Sequence, residues 1–201
     1  MGRTSTARDR LVDAATDLLH WRGYAAVPVS EICSAADVQK GSFYHFFDSK
    51  QALALAAIDR HWADQRAGWI AAIESPTAPL GRLRRILIET ADLQCRAKEL
   101  HGRMGGCTLA NLALELSTQE ELVRDRLAEI FDEQVDLVRR LLAEAADTGA
   151  IERDRAGRFA ARAVVAQLEG MVLLAKLHND PELIEETWQH VAALLGAAPE
   201  L

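Results

Sequence analysis

The sequence predicts an all-α fold. Apolar residues recur at helical spacing along most of the 201-residue chain, no alternating apolar–polar run with hairpin turns stands out, and capping or stop residues bound the periodic stretches. The expected architecture is a compact N-terminal three-helix unit, a connecting helix and a larger helical body, about nine helices in total.

The first helix is expected from Ala7 to about Arg22. Leu11, Ala15, Leu18 and Leu19 form its stripe, Thr6 and Asp9 stand in capping-box spacing, and Gly23 follows its end. Two short helices come next, about Val29–Ala35 and Gln39–Phe46, separated by "AADV". Asp48 and Gln51 repeat the capping pattern and open a long helix to about Glu74, which "SPTAP" stops. The rest reads as helices at roughly Leu80–Leu100, Cys107–Leu116, Gln119–Thr148, Arg155–His178 and Pro181–Leu195. Gly149 serves as a stop and Asp180-Pro181 as a start. The expected domains are residues 1–47 and 48–201, with the helix 48–74 connecting them.

Charge separates these parts. Residues 1–60 hold seven Lys/Arg and seven Asp/Glu, so the entire formal charge of −7 lies in the acidic remainder. A polyanion would therefore meet the first sixty residues. No apolar run of 18 residues occurs, and the N-terminal stretch carries charges where a signal peptide would be apolar, so a cytoplasmic protein without a membrane anchor is expected. Cys33, Cys95 and Cys107 form no CxxC pair, which argues against a zinc knuckle or a disulfide framework. No cofactor is indicated. A di-iron bundle would need Glu-x-x-His pairs, yet none of the six histidines has Glu three residues before it, and HExxH, GxSxG and P-loop patterns are missing too. The chain is not expected to be an enzyme.

"KGSFYHFFDSK", residues 40–50, concentrates four of the eleven aromatic residues in five positions. On a helix, Phe43 and Phe46 fall on one side and can anchor it to a core with Leu18, Leu19 and Ile32. Lys40, Gly41, Tyr44 and His45 fall on the other. Gly41 admits close approach of backbone to phosphate, Ser42 and Tyr44 offer hydroxyls, Lys40 and His45 offer N–H groups, and Lys50 opens the next helix. A short helix, a tight turn and this segment, braced by a preceding helix, make a helix-turn-helix order suited to a major groove.

The stretch "GYAAVPVSEICSAADVQKGSFYHFFDSKQALALAA" resembles the DNA-binding signature of TetR (tetracycline-repressor-like) family transcriptional regulators. The likeness is close over residues 8–60 and extends more loosely to "LEGMVLLAKLHNDPELI". It implies Gln39, Gly41 and Tyr44 near bases or the groove floor, and Ser42, Tyr44, His45 and Lys50 on phosphates, with Lys40 beside them. Two positions depart from the pattern. Val27-Pro28 replaces a frequent Thr-Ser, losing a hydroxyl cap at a cost near ~1 kcal/mol. Asp37 stands where the turn often has glycine, and aspartate tolerates the left-handed region.

The resemblance further implies a homodimer through the last two long helices and an effector pocket in the helical body, hence a repressor of a palindromic operator released by a small molecule. Its partners would be double-stranded operator DNA, a second copy of itself and an effector, with no membrane. Ala160, Ala163, Ala166 and Gly170 keep one stripe small, Val164, Leu168, Met171 and Leu174 add apolar area, and Trp188, Val191 and Leu195 line the final helix. An intrachain core explains either stripe equally well. Candidate pocket residues are Trp62, Trp69, Leu87, Met104, Cys107, Leu109, Leu112, Phe131 and Leu168, with ordinary core as the plainer alternative for each. "GGCTLANLALELS" resembles a segment of a subgroup of these regulators, some of which respond to electrophiles or oxidants through this cysteine. Cys107 falls beside a helix N-terminus, where the dipole favours a thiolate; a small residue opening a buried helix is the plainer alternative. The rival function is a fold-related ligand-binding protein with weak or lost DNA binding.

Overall fold

The computed structural model describes residues 2–198, with side chains from Ala7 onward. Its helices are α1 (Gly2–Arg22), α2 (Val29–Ala35), α3 (Lys40–Phe43), α4 (Lys50–Ile73), α5 (Pro79–His101), α6 (Thr108–Leu116), α7 (Glu121–Asp147), α8 (Arg158–His178), α9 (Glu182–Glu185) and α10 (Thr187–Leu195). A 3-10 turn at Arg153–Arg155 precedes α8. The described residues contain no strand.

Several helix boundaries differ from the expected ones for local reasons. The backbone is already helical through Thr6, so the Thr6 and Asp9 pair does not start α1; the Thr6 side chain itself lies outside the described residues. Asp9 instead pairs with Arg60, which also holds Asp13 at 2.7 Å. The cap of α4 is Ser49 rather than Asp48: its Oγ accepts the Ala52 N–H at 3.0 Å and its carbonyl accepts the Leu53 N–H. Gln51 is drawn away to Glu120. The helix expected over 181–195 divides at Glu186, with Pro181 at its start and the Asp180 carboxylate accepting the Glu182 N–H.

Compactness divides the chain into two units. The first comprises the chain up to Gln65 together with Thr108–Glu129, and the second comprises Arg66–Cys107 with Ile130–Leu201. In the first, Leu11, Val12, Ala15 and Leu19 of α1 bury against a core that also holds Val27, Ile32, Phe43, Phe47, Leu53 and Ile58. Val27 and Ile32 occupy the positions of a hydrophobic staple around Pro28, the N-cap of α2, which makes no side-chain cap bond. The apolar stripe of α6 supplies Leu109, Leu112 and Leu116 to the same unit. The second unit buries Leu80, Leu83, Ile86 and Leu87 of α5, Val135, Val138, Leu141 and Leu142 of α7, and the inner face of α8 with α10.

Candidate functional site

Two clusters of polar side chains stand apart from the cores. The first is built on α3. Phe43 is fully buried, and Phe47, one turn on, packs beside it with ring centroids 5.9 Å apart. The chain stays coiled past the end of α3 because the Phe47 N–H donates to the Phe43 carbonyl at 3.0 Å. Phe47 therefore takes the anchoring place expected of Phe46, which is only half-buried. With these anchors inside, Gln39, Lys40, Gly41, Tyr44 and His45 are exposed and Ser42 is partly so; Tyr44 presents 57% of its surface.

Asp37 closes the turn before α3 with φ of +51°, the left-handed conformation expected for that position. The Val38 N–H then returns to the Cys33 carbonyl, and Arg10 of α1 donates to the Asp37 carbonyl at 3.1 Å. The aspartate thus shapes the turn through its backbone, while its carboxylate stays exposed.

Lys50, half-buried at the start of α4, donates one ammonium N–H to the Tyr24 carbonyl at 2.5 Å and lies 4.1 Å from the centre of the Tyr24 ring. Burial pushes its pKa down, against the pull of Glu115. Glu115, from α6, is a partner that sequence reasoning missed. Its two carboxylate oxygens accept the Tyr24 and Ala25 N–H groups at 2.7 and 2.6 Å. Gly23 makes room for them: with φ of +77°, a Cβ there would stand 2.7 Å from Glu115 Oε2. At the other end of α6, Thr108 shares a 2.6 Å hydrogen bond with His20 of α1.

The second cluster surrounds Cys107, in the second unit. The loop from Gly102 to Cys107 is fixed from two helices. Gln94 of α5 grips Gly106 twice, accepting its N–H at 3.1 Å and donating to its carbonyl at 3.2 Å. Asn179, ending α8, accepts the Met104 N–H and donates to the Gly102 carbonyl, each at 3.1 Å. Gly106 has φ of +74°, and a Cβ on it would meet Lys176 Cδ at 2.8 Å, so the Lys176 stem passes directly over the loop.

Cys107 is partly exposed and hydrogen-bonded to the carboxylate of Glu169 on α8. Burial raises that carboxyl to about 7, against the opposing effect of the Cys107 bond, and Glu169 Oε2 is buried without a hydrogen-bond partner. The Lys176 ammonium is lowered by burial and raised by the charge of Cys107, which places cation and sulfur within electrostatic reach. Burial raises Cys33 against the pull of Lys40, and burial together with Glu185, Asp92 and Glu99 raises Cys95 against the pull of Lys98. Among the described residues, no group of three or more His, Cys, Asp or Glu side chains is placed to hold a metal.

The remaining candidates separate. Met171, Trp188, Val191 and Leu195 are buried in the chain's own core, which removes them from an exposed dimer face. Ala163 is half-buried, whereas Ala166, Gly170 and Leu174 are exposed. Phe159, Leu173 and Leu177 extend that exposed apolar face along α8, with Phe159 87% and Leu177 74% exposed. Of the pocket residues, Trp62, Leu109 and Leu112 belong to the first unit, while Trp69, Leu87, Met104, Cys107, Phe131 and Leu168 belong to the second. All but Cys107 and Phe131 are buried. Gln134 of α7, also in the second unit, is buried with neither amide atom hydrogen-bonded.

Comparison with known proteins finds two matching family models along the chain. "Bacterial regulatory proteins, tetR family" matches residues 11–57, and "Tetracyclin repressor-like, C-terminal domain" matches residues 79–191. The HTH-type transcriptional repressor DhaR of Mycobacterium sp. (strain GP1) is 31% identical over 190 residues, covering 92% of this chain and 90% of its own. The crystal structure of regulatory protein TetR from Rhodobacter sphaeroides superposes with a TM-score of 0.85 at 29% identity, over 94% of this chain and 98% of the other. That of Escherichia coli NemR, in its reduced form, gives 0.84 at 25% identity, over 96% and 98%. No helix among the described residues is long and apolar enough to cross a membrane.

Proposed function

Because this chain belongs to the TetR family of transcriptional regulators, we propose that it represses transcription by binding a palindromic operator as a homodimer, and that covalent modification of Cys107 releases it. The family and these relatives are transcriptional regulators rather than enzymes. In this reading residues 1–47 contact DNA, and residues 48–201 sense and dimerise.

The observation that carries the proposal is the polar exposed side of the α3 segment over two buried phenylalanines. Gln39 and Tyr44 reach base edges, Gly41 lets the backbone approach phosphate, and Lys40, Ser42 and His45 contact the sugar–phosphate strand. Lys50 orders the Tyr24 turn with one N–H and has two further donors for the strand. One such segment reads a single half-site, so two-fold symmetry supplies the other; the exposed apolar face of α8 favours pairing there.

For the signal, support comes from the Cys107, Glu169 and Lys176 cluster. One peptide bond joins Cys107 to Thr108, and α6 grips α1 through Thr108 and its following turn through Glu115. Modified sulfur requires more room than a thiol. The resulting strain on α6 disfavours the DNA-binding state, as any effector must by differential interaction with the two states. A relative crystallised in a form named as reduced agrees with a redox-responsive reading. A reversible ligand is the second reading, favoured by Gln134, whose unmet donor and acceptor suit a polar uncharged effector.

Fluorescence anisotropy on the gene's upstream DNA tests both parts. Salt-dependent binding in the nanomolar range is expected, weakened by Tyr44→Ala or Lys40→Ala and abolished when N-ethylmaleimide reacts with wild type but not with Cys107→Ser. Binding without sequence preference would remove the operator claim. Equal responses of wild type and Cys107→Ser would remove the sensor claim.

A further inference from the structure

Glu169 is the only charged residue between Arg162 and Lys176, in a stretch of α8 whose other residues, Gln167 apart, are apolar or small. A carboxylate in such surroundings is costly unless its oxygens are used. One is used by the Cys107 side chain, while Oε2 is buried with no partner among the described residues.

We infer that Glu169 is the base that takes the Cys107 thiol proton as the sulfur attacks an electrophile, so that this carboxylate switches the reactivity of the thiol. The inference rests on the reading of Cys107 as the reactive site. The chemistry balances with an α,β-unsaturated carbonyl compound as the partner. The S–H proton passes to a Glu169 oxygen, and the sulfur lone pair forms a C–S bond to the β-carbon. The displaced π pair becomes an enolate. Return of the proton from the Glu169 carboxyl quenches the enolate and regenerates the carboxylate.

Ordinary carboxylates are poor bases toward thiols because the two groups differ widely in acidity. Burial narrows that gap by lifting Glu169 to about 7. The titratable groups bearing on the pair are Cys107 itself, from the loop before α6, and Lys176, two turns along α8 from Glu169. From α5, the side chain reaching this loop is the neutral amide of Gln94. Lys176 stabilises negative charge on sulfur but, as an ammonium, cannot accept its proton. The base and the cation therefore have separate tasks.

The test is the rate of N-ethylmaleimide addition at Cys107 against pH, read by peptide-resolved mass spectrometry so that Cys33 and Cys95 serve as internal references. In wild type, the Cys107 rate should rise through an inflection near pH 7 that Cys95 lacks. Glu169→Gln, which keeps the shape and removes the base, should lose that inflection and react about tenfold or more slowly at pH 7.5. Glu169 acting only as a negative charge predicts the opposite sign, since its removal would favour the thiolate and speed addition. An equal or faster Glu169→Gln, a retained inflection, or a wild-type profile shared with Cys95 would each overturn the inference; the wild-type profile needs no variant to fold. Operator binding is measured on the same samples. Alkylation at Cys107 that leaves the operator bound would sink the sensor reading while the role of Glu169 stands.

Discussion

Replacing Glu115 by alanine removes the acceptors of two backbone N–H groups in the turn after α1. They stand at 2.7 Å from Tyr24 and 2.6 Å from Ala25. A hydrogen bond to a charged acceptor contributes about 1.5–3 kcal/mol. The Tyr24 N–H is partly buried, so its loss takes most of that range. The Ala25 N–H is exposed, and water replaces much of its bond. The sum is a destabilisation of about 2–3 kcal/mol, or a melting temperature lower by about 5–10 °C for a chain of this size. Glu115→Gln keeps one acceptor but turns an amide donor toward the other N–H, and should cost about half as much. Urea unfolding gives the free energies, and hydrogen exchange resolved to Tyr24 and Ala25 locates them: both amides should exchange faster in the alanine variant. A change below about 0.5 kcal/mol with unchanged exchange would refute the claim that α6 holds this turn.

Asp37→Gly should leave the turn intact and stabilise the protein by up to about 1 kcal/mol, because the aspartate occupies a left-handed φ that costs a side chain energy and its carbonyl bond to Arg10 is a backbone one. Asp37→Val should instead lower stability by about 1–2 kcal/mol in thermal melts. Leu177→Arg, on the exposed face of α8, should shift sedimentation from a dimer to a 22.1 kDa monomer with unchanged helix content. Glu169 makes stability fall with rising pH. Its folded pKa of about 7 lies above the ordinary 4.5, so its contribution is fully present below pH 4.5 and is lost as pH climbs through 7. That gap corresponds to about 3 kcal/mol, and urea unfolding at pH 5 and pH 8 should show Glu169→Gln gaining most of it over wild type at the higher pH.

The helical order was readable because helix boundaries depend on neighbours in sequence. Gly23 ends α1 and Gly149 follows α7 as their spacing implies, and the turn at Asp37 adopts the conformation its residue type tolerates. Phe43 lies inside because a 100° rotation per residue sorts a face, although helix termini are decided by competing local partners. Ser49 outcompetes Asp48 as a cap, and the coil continuing past Phe43 brings in Phe47 ahead of Phe46. A periodic stripe also cannot say which core it enters, which is why Met171, Trp188, Val191 and Leu195 turned inward. Partners distant in sequence were out of reach altogether. Nothing in the neighbourhood of Glu115 indicates that it serves a turn ninety-one residues earlier. Glu169 did leave a signal, a single charge in a largely apolar helical run, although its link to Cys107 required the fold.

The two bonds by which Gln94 holds Gly106 are made by an uncharged amide on both sides. Such a clamp neither titrates nor is screened by salt. The place of the sulfur is thereby insulated from the acidity and ionic strength around the protein, while its ionisation remains open to both. For the sensing role proposed at Cys107, such a clamp would keep the sulfur in a constant position and let only its chemistry vary with conditions.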